Sequence, residues 1–136
     1  DANFERVLSV PEDVDARAAM LLASYFGGLA IEYAALGPAH ACAQPLVQAF
    51  QLRHGVAIAL VLSHTLEWIG ECSELAPRLR YLAAAAELPR SLREAGIPEH
   101  ALPRLAEEAA AQWTSRFSSR PFDAQAALDI YQAAYS

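Results

Sequence analysis

Lysine is absent from the 136 residues, and all ten basic side chains are arginine. That excludes Schiff-base catalysis and the phosphate-gripping lysine of a P-loop. Cysteine occurs twice, at Cys42 and Cys72, with no Cys-x-x-Cys spacing. A disulfide framework or a four-thiolate metal site is therefore ruled out, and two buried structural thiols in a reducing cytoplasm are expected. No Gly-x-Gly-x-x-Gly, Gly-x-Ser-x-Gly or His-Glu-x-x-His run is present. The chain thus carries neither a dinucleotide fingerprint nor a nucleophile elbow. Positive charge is also scarce: the net charge is −6 and the pI near 5.1. An acidic chain without a basic stripe argues against nucleic acid and anionic membranes as partners.

What is abundant is apolar helix. Apolar residues make up 54% of the chain and mean hydropathy is +0.15, against an average of about 45–50% apolar in soluble domains. The excess predicts apolar surface facing a protein partner or a second copy. Periodicity is helical almost throughout, with no strand signal, repeat or low-complexity linker. After a leading segment over 1–12, Asp13 or Asp15 caps a helix running to about Leu36, stopped by Gly37-Pro38. Its stretch from Ala18 to Leu36 approaches the roughly 20 residues that span a bilayer. Glu32 and the helix-weakening Gly27-Gly28 favour a buried central helix instead, with the glycines admitting a close neighbour.

Further helices are predicted over His40–Phe50 (kinked by Pro45), His54–Gly70, Glu74–Glu87 behind Ser73, about 99–115, and from Asp123 to the end. The expected architecture is all-α, an irregular bundle of about six helices forming one domain over 1–136.

The chemistry-bearing residues cluster at one helix junction. His40 and His54 flank a short helix, and neutral imidazoles suit Fe(II) or Zn(II). Gln44 lies one turn from His40 on the same helix face and is placed to line a neighbouring pocket. Two histidines alone do not complete a catalytic metal site. His64, in an apolar run, reads as a satisfied core imidazole and His100 as solvated. Trp68 and Trp113 read as packing anchors, Asp13 and Asp15 as capping residues, and Glu107-Glu108 as a solvated face.

The run GLAIEYAALGPAHACAQPLVQAFQLRHGVAIALVLSHTLEW, residues 28–68, resembles the helical C-terminal domain of iron-containing (group III) alcohol dehydrogenases. Those show Gly-Leu-x-His-x-x-x-His-Pro-Leu-Gly, then His-Gly-x-Ala-x-Ala and an apolar helix containing Pro-His. The stretches LPRSLREAGIPEHALPRLAEEA and RPFDAQAALDIYQAAY are similar to the closing helices, so the likeness runs from about Glu12 to Tyr135. The resemblance implies a divalent metal, iron or zinc, held by one Asp and three His, two of which map onto His40 and His54. It also implies a Rossmann-like domain that binds NAD(P). The 136 residues are expected to hold neither that domain nor the Asp-x-x-x-His helix bearing the other two ligands. Three positions depart from the pattern: Gln44 stands for a histidine near the nicotinamide, Val47 for a glycine, and Ser63 for a proline.

Two functions follow as expectations. In the first, the chain is the metal-binding part of an NAD(P)-dependent alcohol dehydrogenase, from a split or cleaved enzyme, acting on a small alcohol or aldehyde once a partner supplies the nucleotide domain. In the second, it is a truncated, repurposed helical domain that binds a partner or small molecule. As an isolated chain it is expected to show no dehydrogenase turnover.

Overall fold

Asp13 begins the longest helix as its sequence predicts: its carboxylate accepts the Ala16 backbone N–H at 2.9 Å, satisfying a first-turn donor. The computed structural model describes residues 2–136; Asp1, the first residue of the leading segment, lies outside the described residues. Among the described residues there are seven α-helices and no strand. They are α1 (Phe4–Ser9), α2 (Val14–Ala34), α3 (Pro38–Phe50), α4 (His54–Ile69), α5 (Ala76–Ala85), α6 (Leu102–Ala110) and α7 (Ala124–Ala133). Short 3₁₀ turns lie at Ser73–Leu75, Glu99–Ala101 and Trp113–Arg116. The all-α class is as read from the periodicity.

The helices fall into two compact units, the first ending at Ala35 and the second spanning Leu36–Ser136. The first unit contains α1 and α2. The Ala16 N–H, helped by a bond from Arg6 on α1, holds the Asp13 carboxyl below its ordinary pKa. The expectation of a buried α2 is corrected: of its 21 residues only Ala16 is buried, while Leu21 is 73% and Tyr33 87% exposed. The reason is geometric. Its one packed neighbour in this unit, α1, has six residues and cannot cover a helix of 21. Nor do Gly27 and Gly28 admit a close neighbour, since a Cβ at either would meet nothing within 4 Å. By length and composition α2 is the one helix among the described residues able to cross a membrane.

The second unit has a continuous core. Cys42 and Leu46 of α3, Leu60 and Val61 of α4, Leu105 of α6, and Ile130 and Tyr131 of α7 are buried together with Leu92 and Ile97 from the connecting loop. α4 sits in the middle, against α3, α5 and α7, as an apolar helix on most faces should. The loop before α6 is fastened by a reciprocal cap: Ser91 Oγ accepts the Glu94 N–H, and the Glu94 carboxylate accepts the Arg90 N–H. Asp123 caps α7 by accepting the Ala126 N–H at 2.9 Å. Trp68 packs edge-on to Phe122 at 5.8 Å, with the Arg120 guanidinium over its face. Trp113, by contrast, is 61% exposed and rests on Phe117.

Candidate metal centre

α3 opens with Pro38 in its first turn, where a missing N–H costs nothing. His40 follows two residues later. The helix ends at Phe50, and Gln51 adopts the left-handed region (φ 54°), turning the chain so that His54 starts α4 beside the first turn of α3. The two imidazole centroids are 5.2 Å apart, with ring planes at 43°. Two imidazoles bound tetrahedrally to one ion through ring nitrogens at about 2.0–2.1 Å would have centroids roughly 5 Å apart. The spacing therefore suits a shared ion.

The electrostatics point the same way. Partial burial and the neighbouring His54 charge hold the His40 imidazole below its ordinary pKa, favouring the neutral form. A metal needs that form, because only it offers a lone pair. His40 is half-buried and His54 exposed, so the pair opens outward. Gln44, half-buried, lies one turn along α3 from His40. Among the described residues, no group of three or more His, Cys, Asp or Glu side chains is placed to hold a metal. Two imidazoles are fewer than the three or four protein ligands of an ordinary zinc site.

Behind the pair the helix is firmly seated. The Tyr131 hydroxyl of α7 donates to the Cys42 carbonyl at 2.6 Å, in the buried core. Pro45, three residues on, cannot make the usual helix bond to Ala41, so α3 gains from an anchor here. Burial pushes the Tyr131 phenol well above its ordinary range, reinforced by Cys42 and Glu108, and raises the Cys42 thiol to about 12. No spacing in the sequence connects Tyr131 to the pair; a large polar aromatic in an apolar helical stripe is the available signal.

The remaining candidates sit apart from the pair. His64 is half-buried, with Nδ1 3.7 Å from a Glu67 carboxylate oxygen. His100 is exposed on its 3₁₀ turn, and Cys42 is buried as expected. Cys72 is not buried but exposed, in the left-handed region (φ 53°) where the chain enters the 3₁₀ turn Ser73–Leu75 after α4 has ended at Gly70. Val47 packs against the core, and Ser63 is buried.

Residues 2–74 match the model described as Fe-containing alcohol dehydrogenase family, C-terminal. The chain belongs to the Fe-containing alcohol dehydrogenase family. It is 27% identical to 1,3-propanediol dehydrogenase of Citrobacter freundii over 158 positions, covering 98% of this chain and 41% of that protein. It is 32% identical to alcohol dehydrogenase 4 of Saccharomyces cerevisiae over 119 positions, covering 72% of this chain and 31% of the yeast protein. The crystal structure of a 1,3-propanediol oxidoreductase superposes with a TM-score of 0.86 at 24% identity, over 98% of this chain and 42% of the other. That superposition speaks to the fold alone. The chain thus spans less than half the length of these iron-type dehydrogenase relatives. The Citrobacter alignment is longer than the 136 residues here, so that relative carries residues with no counterpart in this chain.

Proposed function

We propose that this chain is the metal-holding helical part of an NAD(P)-dependent alcohol dehydrogenase, with His40 and His54 as two ligands of a divalent iron or zinc ion. The observation that carries the proposal is the pairing of these two rings at 5.2 Å across the α3–α4 junction. The family is in general metal- and NAD-dependent. When bound, the ion supplies Lewis acidity toward the oxygen of an alcohol or aldehyde. The remaining two ligands belong to an Asp-x-x-x-His helix and the nucleotide site to a Rossmann-like domain, both brought by a partner chain or by further sequence. Names of the relatives point to a small primary alcohol or its aldehyde as substrate.

Each residue of this chain has a limited task. His40 and His54 present neutral imidazoles from two packed helices, so the bundle rather than a loop fixes their spacing. Gln44 lines the pocket and can hydrogen-bond a substrate hydroxyl, but an amide neither takes nor gives a proton near neutral pH. The proton lost on alcohol oxidation therefore leaves by another route. The exposed apolar residues of α2, among them Leu21, Tyr25 and Ile31, form the surface that the rest of the enzyme, a partner or a second copy covers. Glu32 within α2 favours protein over lipid as that cover, and the two free thiols favour the cytoplasm.

The test is complementation. The chain is combined with a nucleotide-binding half of a family member that carries the Asp-x-x-x-His helix, and NAD(P)-linked oxidation of 1,3-propanediol and simple primary alcohols is followed. Turnover confined to the metal-loaded complex and abolished by His40→Ala supports the proposal. A metal-loaded complex without turnover supports the second reading, a repurposed domain, which Gln44 and Val47 favour by altering the positions beside the pair.

A further inference from the structure

A second cavity lies away from the histidine pair. Its volume is about 410 Å³, and it opens between the middle of α4, α5 and the loop that follows α5. His64 is ten residues along α4 from His54, or roughly 15 Å of helix rise. One wall is apolar, made by Leu60, Ala84, Leu88 and neighbouring small residues; the other carries Ser63, His64, Arg80 and Arg90.

The polar wall holds unspent hydrogen-bonding capacity. Ser63, 2% exposed, lines the cavity, and no buried side-chain oxygen or nitrogen among the described residues is left without a partner. Its hydroxyl is a small neutral group that can donate to, or accept from, a molecule in the cavity. The Arg80 guanidinium is committed to Glu67 at 2.8 Å. Arg90 differs: Glu94 takes its backbone N–H, and its guanidinium has no protein partner among the described residues. Burial lowers the His64 pKa, and although Glu67 opposes that, the ring is mainly a neutral hydrogen-bonding group. The cavity therefore offers one free cation, two neutral polar groups and an apolar wall.

We infer that this cavity binds a small aliphatic monocarboxylate, its carboxylate on Arg90 and Ser63 and its hydrocarbon tail on Leu60, Ala84 and Leu88. Guanidinium and carboxylate match in planar geometry. A phosphate dianion would need more than one free cation, and a neutral alcohol would gain nothing from the Arg90 charge. The volume lies at the low end of ligand pockets, about 300–1,000 Å³, which suits a short chain rather than a peptide. The net charge of −6 repels anions at long range, but at physiological salt that repulsion is screened beyond about 8 Å, so the local cation decides.

Calorimetric titration of the full chain with sodium hexanoate tests this, with a chelator present to keep metal from the histidine pair. Saturable one-to-one binding is expected, weakened at least tenfold in Arg90→Gln and in Ser63→Ala, with hexanol and inorganic phosphate at least tenfold weaker on the wild type. Arg90 is exposed, so its variant should melt like the wild type, and the circular-dichroism melt confirms that the loss is one of binding. No saturation, equal affinity in Arg90→Gln, or equal affinity for hexanol would overturn the inference.

Discussion

Replacing Tyr131 by Phe removes one oxygen from the buried heart of the second unit. The ring is 0% exposed and its hydroxyl donates to the Cys42 carbonyl at 2.6 Å. A typical hydrogen bond contributes a net ~1 kcal/mol, and leaving its buried acceptor one partner short adds to that. Tyr131→Phe should therefore cost about 1–2 kcal/mol, with little cavity term because the ring remains. Tyr131→Ala, which empties the ring's space, should cost about 3–5 kcal/mol. Urea unfolding followed by far-ultraviolet circular dichroism reads both. The slope should be unchanged and only the midpoint should move. In a unit of this size each kcal/mol lowers Tm by roughly 4–8 °C. A Tyr131→Phe variant as stable as the wild type would refute the claim that this bond anchors α3, and with it the account of how His40 is held.

Three further outcomes follow from the same structure. Ellman's reagent should titrate one fast thiol in the folded protein, Cys72, and two in denaturant, because Cys42 is buried and its thiol is raised to about 12; two fast thiols would contradict the described core. Stability should fall in alkali. The unfolded chain releases the Cys42 and Tyr131 protons from ordinary values of 9.0 and 10.0, whereas burial makes the folded chain keep them, so the contribution is complete below about pH 9 and lost as pH rises. Cys42→Ala should move the onset of that fall toward pH 10, and a flat profile to pH 11 would contradict it. Asp123→Ala should destabilise by about 1 kcal/mol through the lost cap of α7, read by thermal melting, whereas Asp123→Asn should retain most of it.

Much of the second unit was legible in the sequence because its signals are local. Asp123 caps the helix it precedes, Ser91 and Glu94 close the turn they spell, and His40 and His54 meet because one short helix and a three-residue connection separate them. What escaped depends on distant chain. The apolar residues of α2 declare that the helix gains from cover, but hydropathy does not say whether a neighbour exists, and α1 is too short to be one. Cys72 looked like a core thiol, but it lies exposed where the chain enters the 3₁₀ turn after α4. Eighty-nine residues separate Cys42 from Tyr131, and no period or spacing links them. The Ser63–Arg90 cavity likewise forms only when three segments pack.

The central claim is that His40 and His54 act together on one ion. The direct measurement is long-range nitrogen–proton NMR of the four histidine imidazoles during titration with Zn(II) at neutral pH. The account predicts that the His40 and His54 rings shift together, saturate at one equivalent and lose the response when either is changed to Ala, while His64 and His100 stay still. Shifts spread over all four rings, or a His54 response that survives His40→Ala unchanged, would contradict it.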